Sequence, residues 1–147
     1  MTVCEIVPLH EVALEINSLI PEHYEEAKKE FDYEPVNIDW NYFMALSKQG
    51  SCFVVSLKQD EKIVGYSIYT LSTDPMRMDI KEANNICMYV MKKFRGIGTV
   101  KLLTRAKELL SMMGAEKIHY LVRSQKLSRL LKKMGYSTQE TLWSVAA

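Results

Sequence analysis

Cysteine is scarce in this 147-residue chain. Cys4, Cys52 and Cys87 are odd in number, widely spaced and accompanied by no Cys-x-x-Cys pair or Cys/His cluster. That argues against a disulfide framework and against a zinc site, so no metal is expected and a reduced, cytoplasmic setting is. No apolar run approaches the roughly 20 residues needed to cross a bilayer, so no membrane partner is expected. The opening MTVCEIVPLHEV lacks a basic stretch followed by an apolar one, so no secretory leader is expected either. Repeats, linkers and low-complexity segments are missing as well, which leaves one domain over residues 1–147 as the expectation.

What is present is a globular composition, with 48% apolar and 25% charged residues. The net charge of +1 hides an asymmetry. Residues 1–50 hold ten acids against three lysines, a net −7, so the remainder carries +8. Either two partners of opposite sign are implied, one cationic near the N-terminal third and one anionic beyond it, or an acidic helix and a basic helix are simply solvated.

Apolar spacing orders the elements. TVCEIVPL is β-rich. In HEVALEINSLIPEHYEEAKKE, Val12, Ala13, Ile16, Leu19 and Ile20 share a helical face, and Pro21 is expected to end or kink that helix. Asn37 or Asp39 can cap WNYFMALSKQ, which Gly50 stops. SCFVVSLKQDEKIVGYSIYTLS reads as an antiparallel hairpin around the polar KQDEK, and TDPMRMD as a loop. EANNICMYVM is a strand. A helix follows from about Thr99 to Met113, with Leu102, Leu103, Ala106, Leu109 and Leu110 inward. Then come the strand EKIHYLV, the basic helix QKLSRLLKKM and a last strand, YSTQETLWSVA. The predicted order is β-α-α-β-β-β-α-β-α-β.

The most informative stretch is YVMKKFRGIGTVKLLTRAKELL, a strand that breaks on Gly96 and Gly98 among basic residues and resumes as a helix. A helix start offers unpaired amides and the positive end of the dipole. Glycines let the backbone come close to an anion, and Arg95 with nearby lysines adds charge-assisted contacts. The alternative is an ordinary basic turn whose glycines serve packing.

The element order, together with KIVGYSIY, CMYVMKKFRGIGTVKLL and LSRLLKKMGYS, resembles the GNAT N-acetyltransferase family over almost the whole chain. Its compact bacteriophage-encoded members are the nearest in flavour. The resemblance implies an α/β fold: a mixed, mostly antiparallel sheet whose fourth and fifth strands splay, with flanking helices. It implies acetyl-CoA as cofactor, bound through Tyr89, Val90 and Met91, through the turn residues Phe94, Arg95, Gly96, Ile97, Gly98, Thr99 and Val100, and at Ser124. The family signature, Arg/Gln-x-x-Gly-x-Gly/Ala, fits in three registers. They begin at Lys93, Phe94 or Arg95 and end at Gly98, Thr99 or Val100 respectively.

Many family members carry a tyrosine on the C-terminal helix as acid to the leaving thiolate, and here that place is Leu131. A thiol's ordinary pKa near 8.5 makes it an undemanding leaving group, so solvent is an adequate proton source. The attacking amine needs a base. By position that is Glu82, at the head of the fourth strand, with Asp79 behind it; the competing reading of Glu82 is a solvated strand-end charge. The oxyanion donor is expected as an amide around Tyr89 to Met91. His10, His23 and His119 each stand alone and read as structural or exposed. Cys87 reads as a small hydrophobe, Tyr120 as a strand residue and Tyr136 as a packing residue.

Tyr24, Phe31, Tyr33, Trp40, Tyr42 and Phe43 cluster with the acids. They are either helix packing or the wall of an acceptor site suited to a cationic amine. A protein lysine or N-terminus, a polyamine and an aminoglycoside all qualify as acceptor. The competing readings are a nucleic-acid-directed acyltransferase or binder using Lys126, Arg129, Lys132 and Lys133, and a GNAT-like interaction protein without turnover. A homodimer is compatible with either.

Overall fold

Residues 52–74 carry the strongest β signal and form the centre of the sheet. The computed structural model describes residues 1–31 and 37–147, except for the side chains of Glu30 and Phe31. β1 (Thr2–Pro8), β2 (Cys52–Gln59), β3 (Lys62–Asp74), β4 (Arg77–Val90) and β5 (Lys117–His119) lie in that order across one sheet. The first four pair antiparallel, and β4 pairs with β5 in parallel. The β2–β3 hairpin turns on Asp60 and Glu61, at φ 52° and 67°. Positive φ at both central residues is what a tight hairpin turn needs to match strand twist.

Side-chain alternation sends β2 and β3 residues to two cores. On one face Val55, Leu57 and Tyr69 meet Leu102, Ala106 and Leu110 of α3 (Ile97–Met112). On the other, Val54, Tyr66 and Ile68 meet Leu9 and Ile16 of α1 (Leu9–Phe31), with Trp40 and Phe43 of α2 (Trp40–Lys48) beside them. α4 (Gln125–Lys133) follows β5. Asp39 caps α2 by accepting from the Tyr42 amide at 3.0 Å, as its place before the apolar run predicted.

Four expectations change. Pro21 neither ends nor interrupts α1 as an element, which runs unbroken from Leu9 to Phe31. Loss of the Asn17 carbonyl's partner costs about 3 kcal/mol. Ile16, Leu19 and Ile20 before the proline and His23 and Ala27 after it face the same side of the sheet, and their packing outweighs that cost. The expected TDPMRMD loop shrinks to Pro75 and Met76, because β3 and β4 extend to either side of it. The EKIHYLV strand keeps only Lys117–His119. The last expected strand, YSTQETLWSVA, is not a strand, and every residue beyond Tyr136 is exposed. A strand needs a neighbour for its amides and carbonyls, and the three residues of β5 offer almost no edge.

Leu103 of α3 is fully buried. Leu103→Ala is expected to lower stability by roughly 2–5 kcal/mol in urea denaturation. A change within error would mean that α3 does not seat on the sheet through this face.

Candidate functional site

The site begins with an extra residue. Ile68 of β3 pairs with Cys87 and Tyr69 pairs with Asn85, so Ile86 is a β-bulge. The Asn85 side chain fills it. Its Nδ2 donates to Ser67 Oγ at 2.8 Å, to the Cys87 carbonyl at 3.1 Å and to the Ile68 carbonyl at 3.3 Å. A bulge bends and twists its strand. Pairing of β4 with β5 accordingly ends at Asn84↔His119, immediately before it. From Asn85 onward the two strands part, and one edge of β4 is open.

Strand amides alternate in direction. The Met91 amide donates to the Val64 carbonyl at 2.9 Å, so it faces β3, and Tyr89 two residues earlier faces the same way. Met88 and Val90 therefore aim their amides at the open edge. Of the amides from Tyr89 to Met91, that of Val90 faces the open edge, and that of Met88 faces it as well. The Val90 carbonyl, on the same edge, accepts from Arg95 Nε at 2.7 Å.

After β4 a single 3₁₀ turn, Lys92–Phe94, leads to α3. The Phe94 amide is taken by the Met91 carbonyl at 2.8 Å, and the Val100 amide by the Gly96 carbonyl at 3.1 Å. The amides left without helical partners are those of Gly96, Ile97, Gly98 and Thr99. The two glycines differ. Gly96 sits at φ 83° with open space around it, a conformation that side chains resist. Gly98 is buried, and a Cβ there would stand 3.0 Å from Leu57 Cδ2, so its role is close seating of α3 on β2. Phe94 packs toward the α3-side core, while Ile97 and Val100 are exposed on the outer face.

Arg95 is already engaged. Its guanidinium pairs with Glu26 of α1, whose other oxygen accepts from the Tyr89 hydroxyl at 3.0 Å. Burial would raise the Glu26 pKa, but the hydrogen bonds from Arg95 and Tyr89 and the nearby charges outweigh it and hold the carboxyl below its ordinary value. His23, one helical turn earlier, stacks on Tyr89 with ring centroids 4.8 Å apart and places Nδ1 2.8 Å from the Tyr66 hydroxyl. Burial lowers the His23 pKa, with Arg95 adding to the effect and Glu26 opposing it.

Between α1, α2 and the open edge lies a cleft of about 810 Å³, within the usual size of a ligand site. His23, Tyr24, Trp40 and Phe43 form one wall, Asn85 to Met88 another, and Leu121 to Ser124 the third. Of the aromatics singled out in the sequence, Tyr24, Trp40 and Phe43 line it. Tyr42 points out at 56% exposure, Tyr33 lies outside the described residues, and the Phe31 side chain is not described. Ser124 lines the cleft and also caps α4, its Oγ accepting from the Leu127 amide at 3.2 Å. Cys87 lines it too, but burial pushes its thiol up to about 12, which favours the protonated thiol over a thiolate.

Glu82 is on β4 opposite Lys117 and does not line the cleft. Its carboxylate is 3.4 Å from His119 Nε2. Leu131 is buried, and the Tyr120 hydroxyl bonds Tyr69 at 2.7 Å. The histidines did not prove solitary: His10 meets Ser47 at 2.8 Å, His23 meets Tyr66 and His119 meets Glu82. Nothing in the spacing of His23 from Tyr66 or Tyr89 signals their meeting, because strand register creates it.

The model described as "Acetyltransferase (GNAT) family" matches residues 14–136. No relative is found among curated protein sequences. Among solved structures, a ribosomal-protein-alanine N-acetyltransferase from Brucella melitensis biovar Abortus is similar at TM-score 0.73 and 19% identity, over 100% of this chain and 97% of that one. An aminoglycoside acetyltransferase from an uncultured soil metagenomic sample, in complex with sisomicin, is similar at TM-score 0.74 and 14% identity, over 99% and 95%. A predicted acetyltransferase from Clostridium acetobutylicum, solved with acetyl-CoA, is similar at TM-score 0.67 and 18% identity, over 99% and 96%. At these identities the likeness is one of fold.

Two stability outcomes follow from the geometry. Asn85→Leu leaves buried acceptors without their donor and is expected to cost about 1–3 kcal/mol in urea denaturation; no loss would mean the bulge does not need its amide. Glu26 is lowered in the folded state, so its clasp stabilises above the ordinary value of 4.5 and fades as pH falls through the lowered one. The stability gap between wild type and Glu26→Gln should therefore shrink on acidification. A gap that widens would contradict the clasp.

Proposed function

The chain belongs to the acetyltransferase (GNAT) family, whose cofactor is acetyl-CoA, and from that premise we propose that it moves the acetyl group to a primary amine by direct attack in a ternary complex. The observation that carries this reading is that the open β4 edge leads, through a single 3₁₀ turn, to the unpaired amides of the α3 N-terminus. It gives a path that starts at four unpaired amides and ends in the cleft. Acetyl-CoA supplies the activated thioester. The amides of Gly96 to Thr99 suit its pyrophosphate, with Gly96 leaving room for close approach. The amides of Met88 and Val90 suit the extended arm and the developing oxyanion. Ser124, on the facing wall, borders the same arm.

The acceptor enters from the α1/α2 side. Tyr24, Trp40 and Phe43 offer ring faces to a cationic amine, and Glu22 and Glu25 add negative charge on α1. Glu30 was grouped with these acids in the sequence, but its side chain is not described. Glu26 belongs to the Arg95 clasp. Glu82, outside the cleft lining and beside His119, takes the proton that makes the ammonium a nucleophile, directly or through a water it holds. A protein lysine or N-terminus, a polyamine and an aminoglycoside each fit this chemistry.

The test is mass spectrometry of spermidine, a lysyl peptide, sisomicin and tRNA incubated with labelled acetyl-CoA. Label on an amine is expected; label on none of them overturns the reading, and label on tRNA alone favours the basic face of α4. Calorimetry should show acetyl-CoA binding that the Gly96→Glu variant, whose new side chain enters open space, loses while still folded. Glu82→Gln is expected to lower kcat on the order of 10²-fold with acetyl-CoA affinity unchanged. Wild-type turnover at every pH would make Glu82 a surface charge.

A further inference from the structure

An ammonium acceptor loses two protons on becoming an amide, and one proton must reach the departing sulfur. Glu82 accounts for the first loss. The position where the family resemblance expects a tyrosine acid is Leu131, which is buried and has nothing to donate. The hydroxyl of Tyr120 is bonded to Tyr69, and neither residue lines the cleft.

We propose that His23 is a catalytic residue that carries the second proton from the attacking nitrogen to the leaving sulfur. The inference rests on the amine-acetylation reading above. In atoms, the amine nitrogen bonds the acyl carbon and releases a proton to His23 Nε2. The carbon–sulfur bond breaks with its electron pair going to sulfur. The imidazolium then gives that proton to the sulfur, which leaves His23 neutral for the next cycle.

The geometry supports this in three ways. His23 forms part of the cleft wall, facing the stretch of β4 that holds the bulge. Its ring is held by the Tyr66 hydroxyl at 2.8 Å and by stacking on Tyr89 at an interplanar angle of 16°. Tyr66 is fully buried, and Tyr89 is anchored by Glu26, so neither support is loose. With Nδ1 engaged, Nε2 is the free nitrogen, and it makes no hydrogen bond among the described residues.

The surrounding charges come from every side. Glu26 lies on α1, as does Glu22, which interacts with the Tyr89 hydroxyl; Tyr66 lies on β3, Tyr89 and Cys87 on β4 and Arg95 before α3, while Arg123 is on the wall formed by the segment leading to α4. Burial and Arg95 together outweigh Glu26, so the ring is neutral at neutral pH, and in the Nδ1–H tautomer its Nε2 is able to accept. The Tyr66 phenol is pushed up by burial and keeps its proton. Arginine does not release its proton, phenols do so only near pH 10, and the Cys87 thiol is pushed up to about 12. Imidazole is the wall group that both takes and gives a proton near neutrality.

The role requires the tautomer with hydrogen on Nδ1, donated to Tyr66, and a bare Nε2. Long-range ¹H–¹⁵N NMR of the full chain reads this without any turnover. The Nδ1–H tautomer is expected, and an Nε2–H tautomer at neutral pH overturns the proposal. Kinetics use the amine that the panel of spermidine, lysyl peptide and sisomicin shows to be acetylated fastest. Wild type should show an acidic limb in kcat below the ordinary imidazole value. His23→Gln should lose that limb and fall about 10²-fold in kcat while binding acetyl-CoA normally by calorimetry. A His23→Gln enzyme that keeps both limb and rate overturns the proposal. If that variant fails to fold, Tyr66→Phe keeps the ring and should both lower kcat and move the limb; an unmoved limb overturns it. A wild type that acetylates none of the three contradicts the functional reading instead, and the tautomer then decides the claim about His23.

Discussion

Much of this molecule depends on one side-chain amide inside a sheet. Asn85 Nδ2 donates to Ser67 Oγ and to the carbonyls of Ile68 and Cys87. All three are acceptors, so the amide nitrogen must point inward. Those bonds satisfy groups that an extra residue in β4 would otherwise orphan inside the fold. With the bulge satisfied, β4 can bend away from β5 and expose a run of backbone donors in the middle of the domain. An open edge is ordinarily a hazard. Here it is short, walled by α1 and the segment before α4, and followed in the chain by a helix N-terminus. In the proposed reading, that combination makes an unpaired edge a groove for an elongated ligand carrying a phosphate-rich end.

The acidic N-terminal helix also holds the glycine turn. Glu26 joins Arg95 of the glycine turn to Tyr89 of β4, and Tyr89 supports His23. A chain of contacts thus runs from the anion end of the groove to the cleft wall. Arg95, with Nε on the Val90 carbonyl and its guanidinium on Glu26, ties the turn to β4 and α1. Under the proposed reading, electrostatic recognition of the pyrophosphate rests on the dipole and amides more than on a free arginine.

The fold was largely legible in the sequence because it rests on local signals. Alternation marked β2 and β3, the Leu102 to Leu110 spacing marked α3, and Asp39 and Gly50 bracketed α2. Two local signals misled: Pro21 was overridden by a helix face continuous on both sides of it, and the apolar alternation after Tyr136 had no partner strand. Within the site, the glycine turn was visible, but the separate jobs of Gly96 and Gly98 were not, since Leu57, which Gly98 seats against, is 41 residues away. The engagement of Arg95 by Glu26, 69 positions apart, was equally hidden. His23 read as solitary because its partners, Tyr66 and Tyr89, become its neighbours only through the β3–β4 register.

The central claim is that the parted strands and the α3 N-terminus form one groove for acetyl-CoA. The most direct measurement is an amide ¹H–¹⁵N NMR titration of the full chain with acetyl-CoA. The groove requires the amides of Met88, Val90 and Gly96 to Thr99 to shift together and saturate with a single affinity, while Tyr89 and Met91, which face β3, move less. Saturating acetyl-CoA that leaves Met88 and Val90 unshifted, or that moves the α3 amides alone, would contradict it.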